Sequence, residues 1–140
     1  MISILDQEFS ALNQYIAEQN PSQIFILVDE NTHENCLPTL LANLETEIPF
    51  EIIEIEAGED AKTIATATQL WEILAEFKAD RKSLLLNLGG GVITDMGGFV
   101  ASTYKRGIKF LNIPTTLLAM CDASIGGKTG IDHQYLKNIV

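Results

Sequence analysis

Ser83-Leu84-Leu85-Leu86-Asn87-Leu88-Gly89-Gly90-Gly91-Val92-Ile93-Thr94-Asp95 is the stretch that decides the fold. Its first six residues form a short, nearly continuous apolar run, as expected of a strand buried on both faces of a parallel sheet. The three glycines are the sharpest turn signal in the chain. Val92 to Tyr104 then reads as a helix, interrupted in composition by Gly97-Gly98. A buried strand, a glycine turn and a helix in that order open a crossover between parallel strands.

The same alternation extends in both directions. Glu8 to Glu18 places Phe9, Leu12, Tyr15 and Ile16 at helical spacing, and Pro21-Ser22 ends that helix. Ile24 to Val28 is a buried strand that runs into Asp29-Glu30-Asn31-Thr32 as a turn. A helix is predicted from Asn35 to Leu44, with Pro38 in its first turn. Phe50 to Glu56 is an isoleucine-rich strand, followed by a turn at Gly58-Glu59-Asp60. Ile64, Ala67, Leu70, Trp71, Leu74 and Phe77 then mark an amphipathic helix. Lys109 to Ile113 is a further strand, ending at Pro114-Thr115-Thr116, and Leu117 to Cys121 begins another helical stretch. The expectation is one α/β domain over residues 1–140, Rossmann-like, with a doubly wound and mainly parallel sheet. Lys137-Asn138-Ile139-Val140 ends without a polar tail, which predicts a chain cut short.

Composition narrows the function classes. The chain has 140 residues, 46% apolar and 20% charged, with a formal net charge of −10. Nucleic-acid binders carry a basic stripe that displaces phosphate counterions. Here the densest basic group is Lys105, Arg106 and Lys109, set among apolar residues, so neither nucleic acid nor an anionic membrane is an expected partner. Cys36 and Cys121 form no metal or disulfide pattern and read as apolar thiols in a reducing cytosol. With no signal peptide and no apolar run of membrane length, the expected location is cytoplasmic.

Ligands of open α/β sheets bind at the carboxyl ends of the strands. Asp29 and Asn31 follow the first strand, where a carboxylate can accept from a ribose diol or cap a helix. Gly89-Gly90-Gly91 can bring backbone N–H groups up to a phosphate, or simply make a tight turn. Asp95 is predicted in the first turn of the following helix, where it suits the dipole. Gly126-Gly127-Lys128-Thr129-Gly130 resembles the end of a phosphate-binding loop. Asp122 stands where that loop needs its first glycine, so a flexible loop presenting Lys128 to an anion fits better. His33 and His133 belong to no ligand-spaced cluster, and no metal site is expected within the chain.

Taken in order, Gly58-Glu59-x-x-Lys62, Gly89-Gly90-Gly91-Val92-Ile93-x-Asp95, Thr103-Tyr104-Lys105-Arg106-Gly107, Pro114-Thr115-Thr116-Leu117-Leu118 and Asp122-Ala123-Ser124-Ile125-Gly126-Gly127-Lys128-Thr129-Gly130 resemble the 3-dehydroquinate synthases. The resemblance runs from about Gly58 to the end, with Asp29-x-Asn31 added before it. It implies conversion of 3-deoxy-D-arabino-heptulosonate 7-phosphate to 3-dehydroquinate and phosphate. In that reaction NAD transiently oxidises a substrate hydroxyl, and a divalent metal, zinc or cobalt, polarises it.

The resemblance also implies residue roles. Asp29, Asn31, Gly58, Glu59 and Lys62 would contact the adenosine end of NAD. Gly90, Gly91, Val92, Ile93, Thr94 and Asp95 would serve the pyrophosphate and nicotinamide side, and Thr115, Thr116 and Leu118 further cofactor contacts. Asp122 and Lys128 would hold the substrate near the nicotinamide, and Lys137 and Asn138 would serve cofactor and phosphate. Arg106 would reach the substrate phosphate across the subunit boundary of a homodimer. The metal ligands, one glutamate and two histidines, are implied to lie in a helical C-terminal domain that this chain lacks. The pattern departs from many relatives at Leu136, where they carry glycine. Competing readings are another sugar-phosphate cyclase, an NAD- and metal-dependent alcohol dehydrogenase, or an NAD-holding module without activity.

Overall fold

In a computed structural model of the chain, residues 4–115 are described, with side chains from residue 8 onward. The order is α1 (Ile4–Gln19), β1 (Ile24–Asp29), α2 (Glu30–Asn35), α3 (Leu37–Asn43), β2 (Phe50–Ile55), α4 (Ile64–Glu76), β3 (Leu84–Leu88), α5 (Gly91–Thr103) and β4 (Lys109–Ile113). Single 3-10 turns, Glu59–Ala61 and Tyr104–Arg106, precede α4 and follow α5. The four strands are all parallel, in the order β2-β1-β3-β4. The fold is thus the Rossmann-like α/β arrangement that the strand–helix alternation predicts.

Period-two alternation along each strand sends side chains into two cores. On one face Phe25, Leu27, Ile53, Ile55 and Leu85 meet Ala67, Leu70 and Leu74 of α4 and Ile93, Met96 and Val100 of α5. On the other, Ile26, Val28, Leu84, Leu86 and Leu88 meet Phe9 and Ile16 of α1 and Leu37 and Leu40 of α3. Each fully buried Leu or Ile contributes about 1.5–3 kcal/mol of transfer free energy. A sheet covered on both faces needs apolar runs like those of β1 and β3, the latter broken only by Asn87, since strands with one wet face would alternate with polar residues.

Two local differences from the sequence reading have physical causes. The predicted Asn35–Leu44 helix is two short helices divided at Cys36, whose φ and ψ are −121° and −36°. The first begins early because Asp29 caps it. Asp29 Oδ1 accepts from the Thr32 N–H at 2.8 Å, and the Asp29 N–H donates to Thr32 Oγ1 at 3.0 Å. Pro38, near the start of α3, has no N–H to continue the α2 ladder and so favours a new helix.

The second difference concerns Gly97. A Cβ built there would lie 1.8 Å from Asn87 Oδ1, so only glycine lets α5 pack this closely on β3. Asn87 is fully buried, and its Nδ2 donates to Asn112 Oδ1 of β4 at 3.1 Å. Among the described residues its own Oδ1 has no hydrogen-bond partner, at a cost of about 1–3 kcal/mol in a core.

Candidate functional site

From β1 the chain leaves to one side of the sheet to make β2, then returns past β1 to make β3 on the other side. Such a reversal leaves a crevice at the carboxyl ends of the two strands flanking it, here β1 and β3. Asp29 ends β1, and Gly89-Gly90-Gly91 leads from β3 into α5, so both sequence-predicted segments border that crevice.

The three glycines have different reasons to be there. A Cβ at Gly89 would meet Ile93 Cγ1 at 2.6 Å, so the fold itself excludes a side chain there. Gly90 sits at φ −86° and ψ −157°, extended backbone open to any residue. A Cβ at Gly90 or Gly91 would meet nothing within 4 Å. Neither conformation nor packing among the described residues therefore calls for glycine at these two positions. What they leave is open space in front of a helix N-terminus. Asp29 caps α2 and Thr63 caps α4 through their side chains, whereas Gly90 brings no side-chain cap to α5. In a helix the first N–H groups, here those of Gly91, Val92 and Ile93, have no intrahelical acceptor. They face that space with the positive end of a thirteen-residue helix behind them.

Val92 is half-buried and Ile93 is a core residue, so their side chains serve packing and only their backbones face the crevice. Thr94 Oγ1 donates to the Gly91 carbonyl at 3.1 Å, which stiffens the first turn. Asp95 is the fifth residue of α5, past the first turn in which the sequence places it. It is bound instead by Lys62, with Nζ to Oδ2 at 2.8 Å. That pair joins the turn after β2 to α5. The hydrogen bond to Asp95, then the charge of Asp95 and the charge of Glu59, hold the Lys62 ammonium above its ordinary pKa.

Gly58 has φ +101° and ψ 167°, a conformation in practice reserved for glycine, and it starts the 3-10 turn carrying Glu59. The Ala57 N–H donates to Glu30 Oε2 at 3.0 Å, which ties this turn to the first residue of α2. Asp29 is half-buried with Oδ1 engaged by Thr32, so of its two sequence readings the helix cap is formed here. Asn31 is exposed on α2. Thr115, half-buried, follows β4 at the same edge of the sheet. Thr116, Leu118, Asp122, Lys128, Lys137 and Asn138 lie outside the described residues.

Arg106 is not brought to this crevice. It follows α5, which runs from the carboxyl edge to the opposite edge over 13 residues. At 1.5 Å per residue that is about 20 Å. Lys105 and Arg106 there hold positive φ values of 45° and 69°, and Gly107 follows at 108°. Left-handed residues other than glycine cost roughly 1–2 kcal/mol each. Tyr104 anchors the turn, its buried hydroxyl donating to the Ala79 carbonyl at 2.9 Å.

Sequence reasoning passed over Glu30, Asn87 and Asn112. A lone asparagine among Leu84, Leu85, Leu86 and Leu88 was the available signal for Asn87. Among the described residues, no three His, Cys, Asp or Glu side chains converge as a metal site. Nor is any helix among them long and apolar enough to cross a membrane.

The family profile for 3-dehydroquinate synthase N-terminal sequences matches residues 52–140. The chain belongs to the 3-dehydroquinate synthase family. It is 47% identical over 131 residues to the 3-dehydroquinate synthase of Parabacteroides distasonis, an alignment covering 94% of this chain and 37% of that relative. The chain therefore spans well under half the length of this curated family member. Among solved structures, a 2-deoxy-scyllo-inosose synthase complexed with carbaglucose-6-phosphate, NAD+ and Co2+ superposes with a TM-score of 0.69 at 25% identity, over 79% of this chain and 30% of that one. The 2-epi-5-epi-valiolone synthase of Streptomyces hygroscopicus subsp. jinggangensis 5008, with NAD+ and Zn2+ bound, gives a TM-score of 0.64 at 32% identity, over 94% of this chain and 36% of that one.

Proposed function

We propose that this chain is the NAD-binding part of a 3-dehydroquinate synthase, which converts 3-deoxy-D-arabino-heptulosonate 7-phosphate to 3-dehydroquinate and phosphate. The observation that carries this reading is the bare N-terminus of α5, fronted by two glycines that the fold does not require. Family membership supports the choice of reaction over a related cyclase or dehydrogenase.

In this reading the N–H groups of Gly91, Val92 and Ile93 donate to the NAD pyrophosphate, and Gly90 keeps its approach clear. Asp29, Asn31, Gly58, Glu59 and Lys62 hold the adenosine end at the ends of β1 and β2. Thr94 and Asp95, the latter paired with Lys62, belong with Gly90 to Ile93 to the segment serving the pyrophosphate and nicotinamide side, with Thr115, Thr116 and Leu118 as further contacts. NAD, when bound, would accept a hydride from the carbon that bears one substrate hydroxyl, whose O–H proton is released, and would later return that hydride. Asp122 and Lys128 position the phosphorylated sugar acid, and Lys137 and Asn138 complete the cofactor and phosphate contacts. Arg106, at the far edge of the sheet, serves the substrate phosphate of a neighbouring subunit in a homodimer. The divalent metal, zinc or cobalt, is assigned to ligands outside this chain.

Titration of NAD into the chain, followed by calorimetry or amide NMR, tests the reading. The chain spans 37% of the length of its Parabacteroides distasonis relative, and a cleft open on one side would leave the pyrophosphate in water, where contacts count for less. The expected dissociation constant is on the order of 0.1–1 mM, or about −5.5 to −4.1 kcal/mol. A folded chain that shows no binding at millimolar NAD would refute it.

A further inference from the structure

We propose that the buried Asn87–Asn112 pair is a positioning device that sets the spacing between the glycine turn and the Pro114-Thr115 segment, and thereby the geometry of the NAD site. The inference rests on the NAD reading above.

Only three polar residues among those described are buried, Thr32, Ser83 and Asn87, and Asn87 is the one with no exposed surface at all. Thr32 belongs to a capping box, and the Ser83 hydroxyl accepts from the Asp80 N–H at the entry to β3. Asn87 has no such local task. It lies in the interior of the sheet, where its neighbours Leu84, Leu85, Leu86 and Leu88 supply the core. A leucine there would leave no orphaned oxygen, so stability does not account for the amide.

What the amide does touch is specific. Asn87 pairs with Asn112 in the β3–β4 register and donates to it at 3.1 Å. One register pair remains beyond, Leu88 with Ile113, and the Gly89 N–H then reaches the Ile113 carbonyl at 3.3 Å. After that the strands part, β3 into Gly90-Gly91 and β4 into Pro114-Thr115. Among the described residues the asparagine bridge is thus the side-chain hydrogen bond nearest two strand ends that both carry proposed cofactor contacts. On its other side Asn87 presses its oxygen against Gly97 of α5, where even a methyl group would collide. One side chain therefore touches β3, β4 and the helix whose N-terminus faces the crevice. A directional hydrogen bond fixes lateral spacing, which an apolar contact does not.

The test uses the full chain with Asn87→Ala, Gly97→Ala and the double variant, read by thermal melting and by NAD titration on the same samples. Gly97→Ala alone should lose both stability and NAD affinity, because the new methyl strikes Asn87. In the double variant the methyl added by Gly97→Ala occupies the space the amide vacated, so the melting temperature should return toward wild type. The NAD dissociation constant should nonetheless stay raised by about tenfold or more. A purely structural role predicts that affinity returns with stability, and that result would overturn the proposal. Asn112→Val, which removes the bridge but leaves the Asn87–Gly97 contact, is the second arm and should show the same loss of affinity. Failure of both the double variant and Asn112→Val to fold would assign the pair to stability and overturn the positioning role. Wild-type chain that binds no NAD would sink the cofactor reading and this inference together. Wild type and both variants binding equally would sink this inference alone.

Discussion

Gly90→Val separates folding from binding at one position. The backbone at Gly90, with φ −86° and ψ −157°, is extended, and among the described residues the added Cβ meets nothing within 4 Å. Replacing glycine where the conformation is compatible stabilises by about 0.4–1 kcal/mol through the unfolded state. Valine is a poorer N-cap than glycine, by roughly 1 kcal/mol at most. The two terms nearly cancel, so the melting temperature should move by no more than about 5 °C. Binding responds differently, because the isopropyl group stands in front of the Gly91–Ile93 N–H groups. A hydrogen bond to a charged group is worth about 1.5–3 kcal/mol, so losing one weakens NAD binding roughly 10- to 150-fold. From the 0.1–1 mM range this carries the dissociation constant beyond about 1–10 mM. Amide NMR with an NAD titration measures both quantities, fold from spectral dispersion and affinity from shift changes. A folded Gly90→Val chain that binds NAD like wild type would refute the pyrophosphate assignment. An unfolded one would refute the claim that the fold leaves this position free.

Gly89→Ala should do the reverse, losing about 1–3 kcal/mol of stability because its methyl meets Ile93 at 2.6 Å, as a denaturant melt would record. Lys128→Ala in the full-length enzyme should lower kcat/KM by at least ~100-fold, about 2.7 kcal/mol, and near-normal turnover would remove Lys128 from the chemistry. The 140-residue chain alone should show no synthase turnover with added metal, since Lewis-acid assistance is worth several kcal/mol and its ligands are assigned elsewhere; metal-dependent product formation would contradict this. The Lys62 pKa is raised above 10.5, so the contribution of its pair with Asp95 is fully present below that value and fades as pH climbs through the folded-state pKa. The stability difference between wild type and Lys62→Met should therefore be flat from about pH 7 to 9, and a collapse within that window would argue against the pairing.

The strands were legible because burial on both faces leaves runs such as Ile24 to Val28 and Leu84 to Leu88 with almost no polar residue. The start of α2 was harder to see. Asp29 to Thr32 reads as a turn, and only the reciprocal Asp29–Thr32 bonds convert it into a helix cap. The glycine turn was visible as a phosphate-binding candidate, but not the division of labour within it, which depends on where Ile93 packs. The Lys62–Asp95 pair joins residues 33 apart in sequence, and no local pattern encodes such a meeting. Gly97 reads in sequence as a weak point in a helix. Its reason is Asn87 on a different element, so neither residue could be explained without the other.

The strand order also bears on how the chain is made. As residues emerge from a ribosome, β1 can pair with β2 soon after Ile55 appears, but its other edge waits for Leu84. Closing that longer loop costs little more in chain entropy, since the cost grows only with the logarithm of length. The exposure in the meantime is the larger matter. An apolar strand with an unpaired edge is a template for pairing with another nascent chain. The stretch from Ile55 to Leu84 is thus the interval in which synthesis speed and chaperone occupancy decide between native assembly and aggregation.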